Sequence, residues 1–117
     1  MGVNTTNTNG APSAERLSEM VEYQSGAIVS RTLLKATNAS TTLFAFDAGQ
    51  ELSEHTTPHE ALLVVIEGET VVSIRGDVHH LHIGEAITLP ANQPHAVKAI
   101  KQFKMLLVML DSGKDAS

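Results

Sequence analysis

No cysteine and no tryptophan occur among these 117 residues, and only one tyrosine and three phenylalanines do. Without cysteine there is no disulfide framework, no thiolate nucleophile and no cysteine-held zinc or iron–sulfur group, so any transition metal would need histidine and oxygen ligands. With so few rings, aliphatic side chains must fill most of the core. Positive charge is also scarce: eight Lys and Arg against thirteen Asp and Glu leave a net charge of −5 with histidine neutral. Phosphate binding needs a basic surface, so no nucleic-acid partner is expected. The one basic run, Lys98, Lys101 and Lys104, reads as a solvated face. No apolar stretch approaches the roughly 18 residues that span a bilayer, so no membrane partner is expected either. The opening "MGVNTTNTNGAPSA" has no signal-peptide core, and the expected compartment is the cytoplasm.

What is present reads as one domain, long enough to bury a core and too short for two. Residues 1–25 are expected to be a disordered arm followed by a short helix. Ser13 is placed to cap that helix, with Leu17, Met20 and Val21 on one face and Arg16 and Glu19 off it. Residues 26–112 form the folded body, and 113–117 are a tail. In the body, short β-branched and aliphatic runs alternate with turn signals, the texture of an all-β sandwich or barrel. The candidate strands are 27–35, 41–47, 62–67, 70–75, 79–83, 86–89, 95–100 and 103–110. Asn38, Gly49, Gly68, Gly76-Asp77, Gly84 and the stretch from Pro90 to Pro94 punctuate them. No helix is long enough for a crossover between parallel strands, so the sheets should be antiparallel.

Two of these strands are apolar on both faces. In "LLVVIE", Leu63 and Val65 oppose Leu62, Val64 and Ile66; in "FKMLLVML", Phe103, Met105, Leu107 and Met109 oppose Leu106, Val108 and Leu110. A barrel strand needs only its inner face apolar, so something must cover the outer one. The simplest cover is a second copy of the chain, with the N-terminal segment contributing, and a homodimer is expected.

The chemistry concentrates in two stretches, "AGQELSEHTTPHEALLVVIEGE" and "GEAITLPANQPHAVKA". In the first, Gly49 is followed after five residues by His55, then by Pro58, His59 and a closing Gly68. In the second, Gly84, Pro90 and His95 stand in fixed register. These spacings resemble the two motifs of the cupins, small double-stranded jelly-roll barrels, and in particular their short single-domain RmlC-like members. The resemblance covers roughly residues 26–110 and implies a jelly-roll barrel with a small molecule or a metal at its mouth. It also implies ligand positions, of which His55 and His95 are filled. Thr57 and Ala61 stand where a second histidine and a glutamate would be, Asn92 replaces a glycine, and Ala99 replaces an asparagine.

His59 shares the parity of His55, and a bend at Pro58 would bring it back toward the mouth. The expected metal set is His55, His59 and His95, with Glu60 or water as alternatives for completing it. Three neutral nitrogens suit Zn, Ni, Cu, Fe(II) or Co rather than Ca or Mg. Affinity should then fall as pH drops through roughly 6.5, because only neutral imidazole ligates. His80 and His82 share an outer face, with Leu81 and Ile83 turned inward, and Glu54 is expected in solvent. Alternation lines the interior with Phe44, Phe46, Leu63, Val65 and Met105. Similar barrels include dioxygenases, isomerases, decarboxylases and lyases, so the fold does not choose a reaction. Three readings remain open: a metal-dependent enzyme acting on a small molecule, a non-catalytic module that senses or stores a small apolar or aromatic one, and, behind these two, an association module whose function lives in the dimer surface rather than the barrel. Arg31 and Arg75 look peripheral, which argues against a phosphosugar or a strongly acidic substrate.

Overall fold

The computed structural model describes residues 12–111. Among them nine strands follow one another: β1 (Ile28–Lys35), β2 (Ala39–Phe46), β3 (Glu51–His55), β4 (Glu60–Glu67), β5 (Glu69–Ile74), β6 (Asp77–His82), β7 (Ala86–Leu89), β8 (His95–Lys98) and β9 (Phe103–Leu110). They form two antiparallel sheets, β1-β2-β9-β4-β7 and β3-β8-β5-β6, as the absence of crossover helices required. No helix among the described residues is long and apolar enough to cross a membrane.

Between the sheets lies the main core. Phe46, Leu63, Val65, Phe103 and Met105 come from the five-stranded side and Val72 and Val97 from the other, all buried. Phe46 and Phe103 stack at 4.6 Å between centroids. Phe44 packs against this cluster half-buried, so all five interior residues expected from alternation face the core.

The turns follow from backbone chemistry. Arg75 and Gly76, both at positive φ, make the two-residue loop between β5 and β6, one residue earlier than the expected Gly76-Asp77. Gly68, between β4 and β5, has φ of +75° and lies against the loop before β9. A Cβ there would sit 2.6 Å from the Gln102 carbonyl oxygen, so only glycine fits.

The outer face of the five-stranded sheet carries a second cluster. Met20 and Val21 from the N-terminal segment bury Leu43 and Ala45, with Tyr23, Val29, Ile66 and Leu106 at its border. The expected helix is not there. Leu17–Glu19 forms a single 3-10 turn whose N-cap position is Arg16, without a side-chain cap bond, so Ser13 does not cap it. Strand cations satisfy the segment's carbonyls instead: Arg31 Nη1 donates to Met20 O at 2.9 Å, and Lys104 Nζ donates to Ser18 O. Lys104 is therefore buried rather than solvated, correcting the reading of the basic run. Its Nζ also lies 3.7 Å from Glu67 Oε2 and 4.8 Å from the centroid of the Tyr23 ring. The Tyr23 hydroxyl donates to the same Glu67 oxygen at 2.5 Å. Burial raises the pKa of that hydroxyl well above its ordinary value, and the bond to Glu67 and its negative charge add to the shift. Of the segment expected to begin as a disordered arm, residues 1–11 lie outside the described residues, as does the tail at 113–117.

Candidate functional site

β3 is almost entirely polar and exposed, and it exists because β8 pairs with it: Glu51 opposes Lys98 and Leu52 opposes Val97. After an irregularity in the ladder, His55 opposes His95. The two strands thus bring together residues far apart in sequence, with ring centroids 4.5 Å apart and the rings edge to face. Ile74 of β5 completes the row beside His95. His95 is buried, at 7% exposure, whereas His55 is open to solvent.

Both rings are held in the same way. His55 Nδ1 lies 2.8 Å from Ser53 O, and His95 Nδ1 lies 3.2 Å from Gln93 O, each a carbonyl two residues upstream. A carbonyl can only accept, so Nδ1 carries the proton in each ring and Nε2 keeps its lone pair. Burial pulls the His95 pKa below its ordinary value, and the neighbouring His55 adds to this. The Gln93 carbonyl acts in the opposite direction, with a weaker effect than burial. His95 is therefore a neutral acceptor near pH 7.

The loops behind the pair are tied to each other. Asn92 N donates to Thr57 O at 2.7 Å, joining the β7–β8 loop to the β3–β4 loop. Asn92 has φ of 63°, a conformation that asparagine tolerates better than most residues, which explains how it stands in for glycine. The Thr57 hydroxyl is engaged locally, accepting from His59 N at 3.3 Å and donating to His59 O at 3.2 Å.

The remaining candidates do not join the pair. His59 Nδ1 is shielded from solvent without a hydrogen-bond partner and lies 3.6 Å from Asp111 Oδ1. The two residues border a recess of about 160 Å³ with Lys35, Ser40 and Met109. Glu60 is exposed, and it alternates with the buried Ala61, which places it on the outer side of β4. Glu54 is also exposed and borders a groove on the outside of the four-stranded sheet. His80 and His82 are exposed, their rings 6.2 Å apart on the outer face as expected. The His82 ring lies between Glu69 and Glu85, at 3.1 and 3.5 Å.

Among the described residues, no three His, Asp or Glu side chains gather in a group that could hold a metal ion. The two imidazoles have the tautomer that ligation needs, but a resident ion normally has three or more protein ligands. The residues present therefore do not fit an ion held by this chain alone. Sequence reasoning found His55 and His95 through their spacing. It missed the two carbonyls that orient them, because main-chain acceptors leave no mark in residue identity, and it missed Asp111 as the neighbour of His59.

Comparison with known proteins agrees with this architecture. A conserved protein of unknown function from Streptococcus pyogenes superimposes with a TM-score of 0.81 at 28% identity, over 95% of both chains. A cupin 2 conserved barrel domain protein from Leptotrichia buccalis is 40% identical with a TM-score of 0.77. The match covers 80% of this chain and 46% of that one. A cupin superfamily protein from Desulfitobacterium hafniense shares the fold, with a TM-score of 0.82 at 21% identity over 96% of this chain and all of its own. No curated protein matches the sequence. The Cupin domain family matches residues 42–110, more than half of the chain and both histidine strands, and the chain belongs to that family.

Proposed function

We propose that the chain is a non-catalytic binding module for a small aromatic or apolar molecule bearing O–H groups, with His55 and His95 as its recognition element. The observation that carries this reading is the matched orientation of the two rings, each Nδ1–H spent on a carbonyl and each Nε2 left as an acceptor. A phenol or a vicinal diol supplies the donors that such a pair lacks. Ala61, at a position where related barrels carry a carboxylate, leaves the neighbouring wall apolar. Arg31 is turned to the outer face and Arg75 sits in the β5–β6 turn, so neither offers a charge to a strongly anionic ligand. Glu54 and Glu60 face away from the pair, which argues for binding rather than acid–base chemistry.

The same two lone pairs support a second reading, in which the cargo is a divalent transition ion already carrying donors of its own. Two imidazoles leave positions for a chelating molecule, and Zn, Ni, Cu, Fe(II) and Co all accept such a set.

Long-range ¹H–¹⁵N NMR of the imidazoles tests both. We expect Nδ1-protonated rings, and Nε2 resonances that move when catechol or another small phenol is titrated in and stay still in His95→Phe. Movement only with zinc or nickel plus a chelator would select the second reading. Rings protonated at Nε2, or signals indifferent to every probe, would refute both.

A further inference from the structure

We propose that the recess beside His59 is a second binding site, for a small zwitterion that carries a carboxylate and an ammonium group, as an amino acid does. The inference is independent of the reading of His55 and His95. The recess sits at the end of the inner face of the five-stranded sheet. Lys35 opposes Ser40, Ser40 opposes Met109, Met109 opposes Ala61, and Ala61 opposes Leu89. Ala61 and Leu89 belong to the main core, so this row is an inner one. His59 and Asp111 lie two residues beyond Ala61 and Met109, with the same parity. Lys35 joins the row through a fault in the ladder. From Ile28 to Thr32 even-numbered residues of β1 oppose even-numbered residues of β2, and Val29 packs on the outer face. Unbroken alternation would put Lys35 on that outer face too. The register shift between Thr32 and Leu34 reverses the parity and sets Lys35 opposite Ser40, on the inner face. Re-aiming a side chain on an edge strand is what such bulges do, and β1 is an edge strand.

The chemistry of the lining selects the ligand. Lys35, on β1, and Asp111, just past β9, bring one charge of each sign to a recess of about 160 Å³, with Ser40 on the strand between them. Two backbone bonds fix the walls. Ala36 N donates to Ala39 O at 2.8 Å, closing the turn between β1 and β2, and Asp111 N donates to Asn38 O at 2.8 Å, tying the end of β9 to that turn. A simple anion would be repelled by Asp111 and a simple cation by Lys35, whereas a molecule bearing both charges is attracted at each end. A carboxylate has about four acceptor sites, so Asp111 can hold an ammonium group whatever else it faces. His59 adds a third part. Its Nδ1 is shielded and lacks a hydrogen-bond partner, and Asp111 Oδ1, at 3.6 Å, is too far to accept from it. An unpaired buried polar atom is a cost to stability, and beside a charged recess it marks a place kept for binding. The volume is below the roughly 300 Å³ at which pockets for drug-sized molecules begin, so it suits an amino acid and not a nucleotide.

Titration of the full chain with glycine, β-alanine and γ-aminobutyrate, followed by ¹H–¹⁵N NMR, tests the site and measures the spacing of its charges. At least one of the three should shift the amides of Lys35, Ser40 and Asp111 together with the His59 ring, saturably and with a Kd of about 1 mM or below. Acetate and methylammonium, which carry the two charges separately, should each bind at least about tenfold more weakly. Lys35→Met and Asp111→Asn should each weaken the zwitterion by about tenfold or more, as loss of a charge-assisted bond does. Both side chains are exposed, so the circular dichroism of these variants should be unchanged. His95→Phe should leave the response intact, which separates this site from the histidine pair. No shift with any of the three amino acids at about 20 mM would overturn the proposal. So would acetate binding as tightly as the best amino acid, full affinity in Asp111→Asn, or loss of the response in His95→Phe.

Discussion

Gly68 and Gly84 both occupy left-handed backbone, at φ of +75° and +86°, yet they differ in what surrounds them. At Gly84 an added methyl group meets open space, while at Gly68 it meets the Gln102 carbonyl and the Phe103 backbone. Gly84→Ala should therefore cost about 1 kcal/mol, the conformational term alone. Gly68→Ala should cost about 3 kcal/mol, because a main-chain oxygen cannot rotate out of the way. Urea unfolding of the two variants checks this, and equal losses would contradict it. His95 gives a prediction in pH. Its native pKa is depressed, so between that value and the ordinary one, roughly 6.5, the unfolded chain holds the extra proton. The stability from keeping His95 neutral is complete above about pH 6.5 and is lost as pH falls toward the native value. Comparing His95→Gln with wild type at about pH 7.5 and about pH 5.5 should show a smaller acid loss in the variant.

Strands with an apolar rhythm could be read directly from the sequence; β3 could not. Its five residues, "ELSEH", include one aliphatic side chain, and none is buried. It is a strand because β8 offers it a ladder, a tertiary cause that local periodicity cannot carry. The site suffers from the same limit. Spacing pointed to His55 and His95, whereas the placement of His59 depended on how the chain bends at Pro58, which parity does not determine. The N-terminal segment failed as a helix for a related reason. Met20 and Val21 form the packing face expected of them while Leu17 stays exposed, and a segment with a single 3-10 turn, anchored by Lys104 and Arg31, buries the two without a full helix. Lys104→Met keeps the bulk and removes the donor, so it should cost about 1–3 kcal/mol by leaving the Ser18 carbonyl unpaired. It should also speed tryptic cleavage after Arg16. An unchanged cleavage rate would mean that the apolar contacts of Met20 and Val21 hold the segment by themselves.

For the whole molecule, the two-sided apolar strands and the incomplete motif point in different directions. The first concerns what the barrel meets outside, and the second what it admits at its mouth. The sequence was informative about both as surfaces and silent about their occupants, since occupancy depends on registers and ring orientations that only the assembled sheets define. The pairing of β3 with β8 has a kinetic side as well. Neither imidazole can reach the other until two stretches distant along the chain have met, so a bridging ligand finds no partial site in the unfolded chain. Binding therefore acts wholly on the native side of the folding equilibrium. A ligand at a hundredfold excess over its Kd should add about 2.7 kcal/mol. Because closing such a long loop comes at an entropic cost early in folding, that gain should appear mainly as slower unfolding, with refolding hardly changed.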